Sequence, residues 1–127
     1  MAEFTTADSA TISHHLRTPE IRTYITLAPL KDLDDPDLSP PPAIDESGRS
    51  SQIFLVEGVA RLGSAERRVV ARGRDIYAIT APIVVEATQR IVSKLAAKTG
   101  VLAADEVFDA RDFLRSLCPA HLSLEIQ

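Results

Sequence analysis

The sequence predicts an α+β domain, with a mixed, mainly antiparallel sheet, a central hairpin and two helices packed on one face. Three observations lead there. Two β-rich runs, 51–62 and 66–73, are separated only by the turn material Gly63-Ser64-Ala65, and a connection that short joins antiparallel strands. Val84, Ala87, Ile91 and Leu95 recur at spacings of three, four and four, which is one stripe of an amphipathic helix. Finally, 45% apolar residues in a chain of 127 suffice for the core of one domain.

Taken in order, residues 1–7 read as a tag remnant or a disordered start, and 8–127 as a single domain. Residues 5–17 are polar, with Ile12 and Leu16 four apart, and read as a short helical turn or a loop. From Glu20 to Ala28 the β-branched and aromatic residues Ile21, Thr23, Tyr24, Ile25 and Thr26 predict a strand that begins after Pro19. Residues 29–50 hold five of the eight prolines and most of the acidic excess, and so form a long surface loop. The run 51–62 carries apolar residues on both faces, Phe54, Val56 and Ala60 on one and Ile53, Leu55 and Val59 on the other. That pattern predicts a central strand.

The helix that follows is expected to start with Thr80 as N-cap, to tolerate Pro82 in its first turn and to stop at Gly100. Gln89, Arg90, Ser93 and Lys94 should face away from its apolar stripe. A second helix, Ala110 to about Leu117, has Asp109 as N-cap, Asp112 at the third helical position, and Phe108 and Phe113 as the ends of a hydrophobic staple. Pro119 should end it. His121–Gln127 alternates Leu122, Leu124 and Ile126 with polar residues, as a half-buried final strand does.

Fourteen basic and 18 acidic side chains give a net charge of −4, and neither half of the chain has the basic surplus of a phosphate-backbone binder. Nucleic acid is not an expected partner. The single cysteine, Cys118, cannot form an internal disulfide, and no run is long enough to span a bilayer, so a cytoplasmic protein with no membrane partner is expected. The pair His14-His15 cannot readily share one ion, because adjacent side chains point to different faces. The run Asp32, Asp34, Asp35, Asp37 lacks the glycine and distal glutamate of a calcium loop and is interrupted by Pro36. No metal ligands are therefore assigned.

The polar turn Arg72-Gly73-Arg74-Asp75-Ile76-Tyr77, between a strand and a helix, is different in kind. Arg72 and Arg74 fall on the same side of an extended backbone, so two guanidinium groups can face one anionic metabolite, with Tyr77 as a hydrogen-bond donor. Against this stands a pairing of Asp75 with Arg74 that merely stabilises the turn. Arg49 and Gln52, in Gly48–Gln52, are further candidate ligand contacts.

The segments Asp8–Ser13, Gly48–Phe54, Gly73–Ala78 and Phe108–Leu114 together resemble the C-terminal half of bacterial saccharopine dehydrogenase-like oxidoreductases, over about residues 8–127. In that family an N-terminal Rossmann domain binds NAD(P), and a C-terminal α+β domain closes the substrate cleft and often mediates dimerisation. The resemblance therefore implies a substrate-binding and dimerisation domain that forms a homodimer. No G-x-G-x-x-G follows any strand here, so NAD(P) is expected only in a missing N-terminal domain and no cofactor on this chain. No family catalytic residue matches a position of this sequence, and none is assigned. A free-standing α+β domain that binds a ligand or a protein partner is the alternative.

Overall fold

The two-residue connection Gly63-Ser64 turns the chain back on itself and pairs the run before it with the run after it in antiparallel fashion. The computed structural model describes residues 1–27, 37, 39, 41–96 and 98–127, the side chain of His15 excepted. Residues 29–36, 38 and 40 of the expected 29–50 loop, with Asp32, Asp34 and Asp35, lie outside these residues. The chain divides into two compact units, Met1–Pro40 and Pro41–Gln127, where the sequence reading has one domain from residue 8.

In the first unit, β1 (Ala2–Glu3) pairs antiparallel with β2 (Tyr24–Ile25), and α1 (Ala7–His15) lies between them in sequence. The strand expected from Glu20 to Ala28 is thus only two residues long. Its β-branched composition finds no partner longer than Ala2–Glu3, and strand propensity without a ladder does not make a strand.

The second unit holds a three-stranded antiparallel sheet in the order β3-β4-β5, from β3 (Ile53–Leu62), β4 (Ala65–Arg74) and β5 (Leu122–Ile126). Between β4 and β5 come α2 (Thr80–Val92), α3 (Ala104–Val107) and α4 (Ala110–Ser116). The α+β class therefore holds. The expectation that 51–62 is central does not: β4 is paired on both sides, and β3 is an edge. Apolar residues on both faces of β3 reflect exposure, with Ile53 83%, Leu55 55%, Val56 55% and Leu62 86% accessible.

Directly opposed residues share a face of a sheet. Phe54, Gly73 and Leu122 form one such rank, and Phe54, Leu122 and Leu124 pack with Ile79, Ala87, Phe108, Phe113, Leu117 and Cys118. That is the helix face. The opposite face carries Arg68, Arg72 and Arg74 of β4, with Arg68 bonded to Glu57 (2.7 Å) and Arg72 to Glu125. Val70 stands between Glu57 and Glu125 and is 1% exposed, so these charged side chains ring a buried aliphatic residue. Long basic side chains cover apolar surface in this way with their methylene stems.

Helix α2 departs from its expected orientation. Val84, Ile91 and Leu95 are 55%, 56% and 70% exposed, while Arg90, expected outside, has its side chain only 14% exposed. Arg90 bonds Glu86 (2.6 Å) and Asp112 (2.7 Å), and its guanidinium lies 5.2 Å from the centroid of the Phe113 ring. A paired, ring-stacked arginine is a stable occupant of that position, and it ties α2 to α4. Ile79 rather than Thr80 is the N-cap, with no side-chain cap bond. The helix stops well before Gly100. Lys94 (φ 58°) is left-handed, its N–H donates to Ile91 O (3.0 Å), and Leu95 N–H donates to Arg90 O (2.9 Å). This is a Schellman end with lysine where glycine is usual.

The α4 reading holds in detail. Asp109 accepts the Asp112 N–H at 2.7 Å, and the Phe108 and Phe113 rings meet at 5.2 Å between centroids. No described helix is long and apolar enough to cross a membrane.

Candidate functional site

The strand-to-helix turn is organised by Asp75. Its φ of 60° is left-handed, a conformation that aspartate adopts more readily than most residues. The carboxylate accepts three backbone N–H groups, from Ser50 (2.7 Å), Tyr77 (3.1 Å) and Ala78 (3.0 Å). Its own N–H donates to Gln52 O (2.7 Å) and its carbonyl accepts from Ile79 N–H (3.2 Å). The Ser50 N–H first, then that of Ala78, hold the carboxyl at about 2, against the opposing effect of burial. Asp75 is therefore ionised near neutrality and fully engaged. It fastens the segment before β3 to the turn after β4.

That segment is itself tightly turned. Ala43 bridges to Ser50, Ile44 N–H donates to Arg49 O (2.9 Å), and Gly48 takes φ 76°, where a side chain would be strained. Asp45 accepts from Ser47 N–H (3.0 Å), the Ser47 hydroxyl and Arg49 N–H (3.2 Å). The Asp45 carboxylate also pairs with Arg74 and stands 3.8 Å from Arg49 Nε. The Ser47 hydroxyl is the main cause of its pKa lying below the ordinary value, with the two arginines adding to the effect.

The Asp45 carboxylate thus faces two guanidinium groups, with the ionised Asp75 in the adjoining turn. The two arginines border a cleft of about 240 Å³ lined by Ser47, Arg49, Arg74, Ala78, Ile79, Ala81, Pro82 and His121. A larger cleft, about 430 Å³, runs along β5 past Cys118, Pro119 and Leu122, with Arg115 as its only charged residue. The Cys118 thiol there donates to Leu114 O (3.3 Å). Of the two clefts, the smaller is lined by two arginines and the larger by one.

Of the six residues singled out from sequence, Arg49 and Arg74 meet at this cleft. Arg72 shares the outer sheet face with Arg74 but is drawn to Glu125 on β5. Tyr77 is 82% exposed and does not line the cleft. Gln52 contributes its main chain, accepting from Asp75 and donating to the Ser50 hydroxyl (3.4 Å). Asp75 positions the turn and pairs with backbone, not with Arg74. Asp45 and Ser47 were missed, and His121, exposed just before β5, lines the cleft. The pattern Asp45-Glu46-Ser47-Gly48 is an Asx-turn signature that the acidic loop around it obscured.

Among the described residues no cluster of His, Cys, Asp or Glu could hold a metal ion. Compared with family models, curated proteins and solved structures, the chain matches none.

Proposed function

We propose that this chain is the substrate-binding and dimerisation domain of a cytoplasmic, saccharopine dehydrogenase-like NAD(P)-dependent oxidoreductase, without the Rossmann domain and not catalytic alone. The observation that carries the reading is the uncovered apolar side of α2 and its C-terminal end, where Val84, Val85, Ile91, Val92 and Leu95 are each more than half exposed. A protein surface seldom carries a contiguous apolar helix side unless another body packs on it. A nucleotide-binding domain is the body that the family resemblance supplies. In this reading the Arg49/Arg74 cleft receives the carboxylate of an anionic metabolite, because two guanidinium groups line it and a planar fork suits a carboxylate.

The gene itself tests the reading. An open frame continuing upstream of the Thr5 codon into a βαβ unit with a glycine-rich turn supports it, and an in-frame stop there overturns it. The chain alone should show no saturable micromolar binding of NADH in a nicotinamide-fluorescence titration, since no closely spaced glycines lie beneath a helix N-terminus. The cationic cleft also suits a free-standing anion-binding domain. That alternative predicts dicarboxylate binding with no nucleotide domain encoded upstream.

A further inference from the structure

The direction of the main-chain groups on β3 identifies a surface for the self-association in the reading above, and the inference rests on that part of the reading alone. Asp75 N–H donates to Gln52 O across the β3–β4 register, whereas Arg68 and Gln127 exchange both of their bonds across β4–β5. The alternation of an antiparallel ladder then fixes the rest. Even-numbered residues of β3 bond to β4. The N–H and C=O groups of Ile53, Leu55, Glu57, Val59 and Arg61 point to the free edge.

We infer that two copies of this chain join β3 to β3 in antiparallel fashion, with the two-fold axis at Val59, making one six-stranded sheet. Charge selects this register. Glu57 and Arg61 lie on the same face, two residues either side of Val59, so each Glu57 comes opposite the partner copy's Arg61 and both symmetric pairs are attractive. An axis at Glu57 would oppose two carboxylates, and one at Arg61 two guanidinium groups. Axes at Gly58 or Ala60 leave both charges opposite uncharged residues. In the Val59 register the paired residues are also those whose main-chain groups face outward, so side-chain and hydrogen-bond requirements agree.

The pairs already present fit the same row. Arg61 bonds Glu66 (2.7 Å) and Glu57 bonds Arg68 (2.7 Å), so Glu66, Arg61, the partner copy's Glu57 and its Arg68 alternate in sign across the seam. On the helix face the seam sets Val56 (55% exposed) opposite the partner copy's Leu62 (86% exposed), covering two of the most exposed apolar residues of the sheet. The other sheet edge offers less. β5 has five residues against ten in β3, and no pair of opposite charges flanks its centre.

The test is sedimentation of the full chain over a range of concentrations, with a proline variant and two cysteine variants. Val59→Pro removes an N–H that points away from β4, so the hairpin keeps its ladder. The seam loses two hydrogen bonds by symmetry, and the dimer dissociation constant should rise by about tenfold or more, with the far-UV circular dichroism unchanged. In a Cys118→Ser background, Val59→Cys should form an interchain disulfide on mild oxidation, because the introduced thiol sits on the two-fold axis and faces its twin. Arg61→Cys should not, because its twin is roughly 14 Å away along the antiparallel pair, beyond disulfide reach. A strict monomer at every concentration overturns self-association and the seam together. A dimer indifferent to Val59→Pro, or one that cross-links equally through either introduced thiol, overturns the seam alone and leaves the proposed homodimer standing.

Discussion

Gly73 is the position where one added methyl group tests the packing of the sheet on its helices. It lies opposite Phe54, whose ring crosses it to reach the Ile79/Phe113/Leu117/Leu122 cluster. A Cβ built there would stand 2.5 Å from Phe54 Cζ, 2.6 Å from Cε1 and 3.1 Å from His121 O. The Phe54 ring must move, which costs about 1–3 kcal/mol as a typical overpacking penalty. Replacing glycine returns about 0.4–1 kcal/mol by restricting the unfolded chain. Gly73→Ala should therefore destabilise by roughly 0.5–2 kcal/mol, with Tm falling about 4–8 °C per kcal/mol for a unit of this size. Urea unfolding followed by far-UV circular dichroism measures it. The decisive comparison adds Phe54→Ala: without the ring the two closest approaches are gone, and Gly73→Ala should then cost clearly less. Equal costs of Gly73→Ala in both backgrounds would refute the reasoning, since two residues in contact cannot contribute independently if the clash is the cause.

Three further outcomes follow from the geometry. Asp75 has its folded pKa lowered to about 2 from roughly 3.9 in an unfolded chain. The unfolded state thus binds the proton first, and the stability Asp75 contributes is complete above about pH 4 and lost as pH falls through about 2; acid titration of Asp75→Asn should show a flatter profile over that window. Asp75→Ala should lower Tm far more than Arg74→Ala, because the first strands the N–H groups of Ser50, Tyr77 and Ala78 while the second loses one partly exposed ion pair with Asp45; equal losses in paired thermal melts would contradict this. Leu117, 2% exposed, should cost about 2–5 kcal/mol when truncated to alanine, and a loss below about 1 kcal/mol in urea titration would mean that the α4 end does not seal the core.

How much of this was legible depended on whether the signal was local. The hairpin, the Asp109 cap, the Phe108/Phe113 staple and the final strand rest on residues within a few positions of one another, and all appear where the sequence puts them. The position of β3 in the sheet is a different kind of fact, because two apolar faces look alike whether they are covered by protein or left for a partner. Arg90 was misplaced for a related reason. Its burial depends on Glu86, Asp112 and the Phe113 ring converging from two helices, and helical periodicity carries no information about the second helix. In the cleft, Arg74 was visible beside its turn, but its partner Asp45 lies 29 residues away in sequence and could not be inferred from spacing.

The outward apolar side of α2 also changes which measurements report on folding. Environment-sensitive dyes such as ANS brighten on exposed apolar surface, a response usually taken as the mark of a molten globule. Here the native molecule presents Val84, Val85, Ile91 and Val92 to solvent, so such a dye should already be bright before any heating. A dye-monitored melt would then begin high and show a small or inverted transition for a well-folded sample. The sequence has no tryptophan and two tyrosines, which leaves little intrinsic fluorescence as a substitute. Peptide-bond signals and amide exchange in β4, whose both edges are bonded, are the readouts that distinguish the packed molecule from a loosened one.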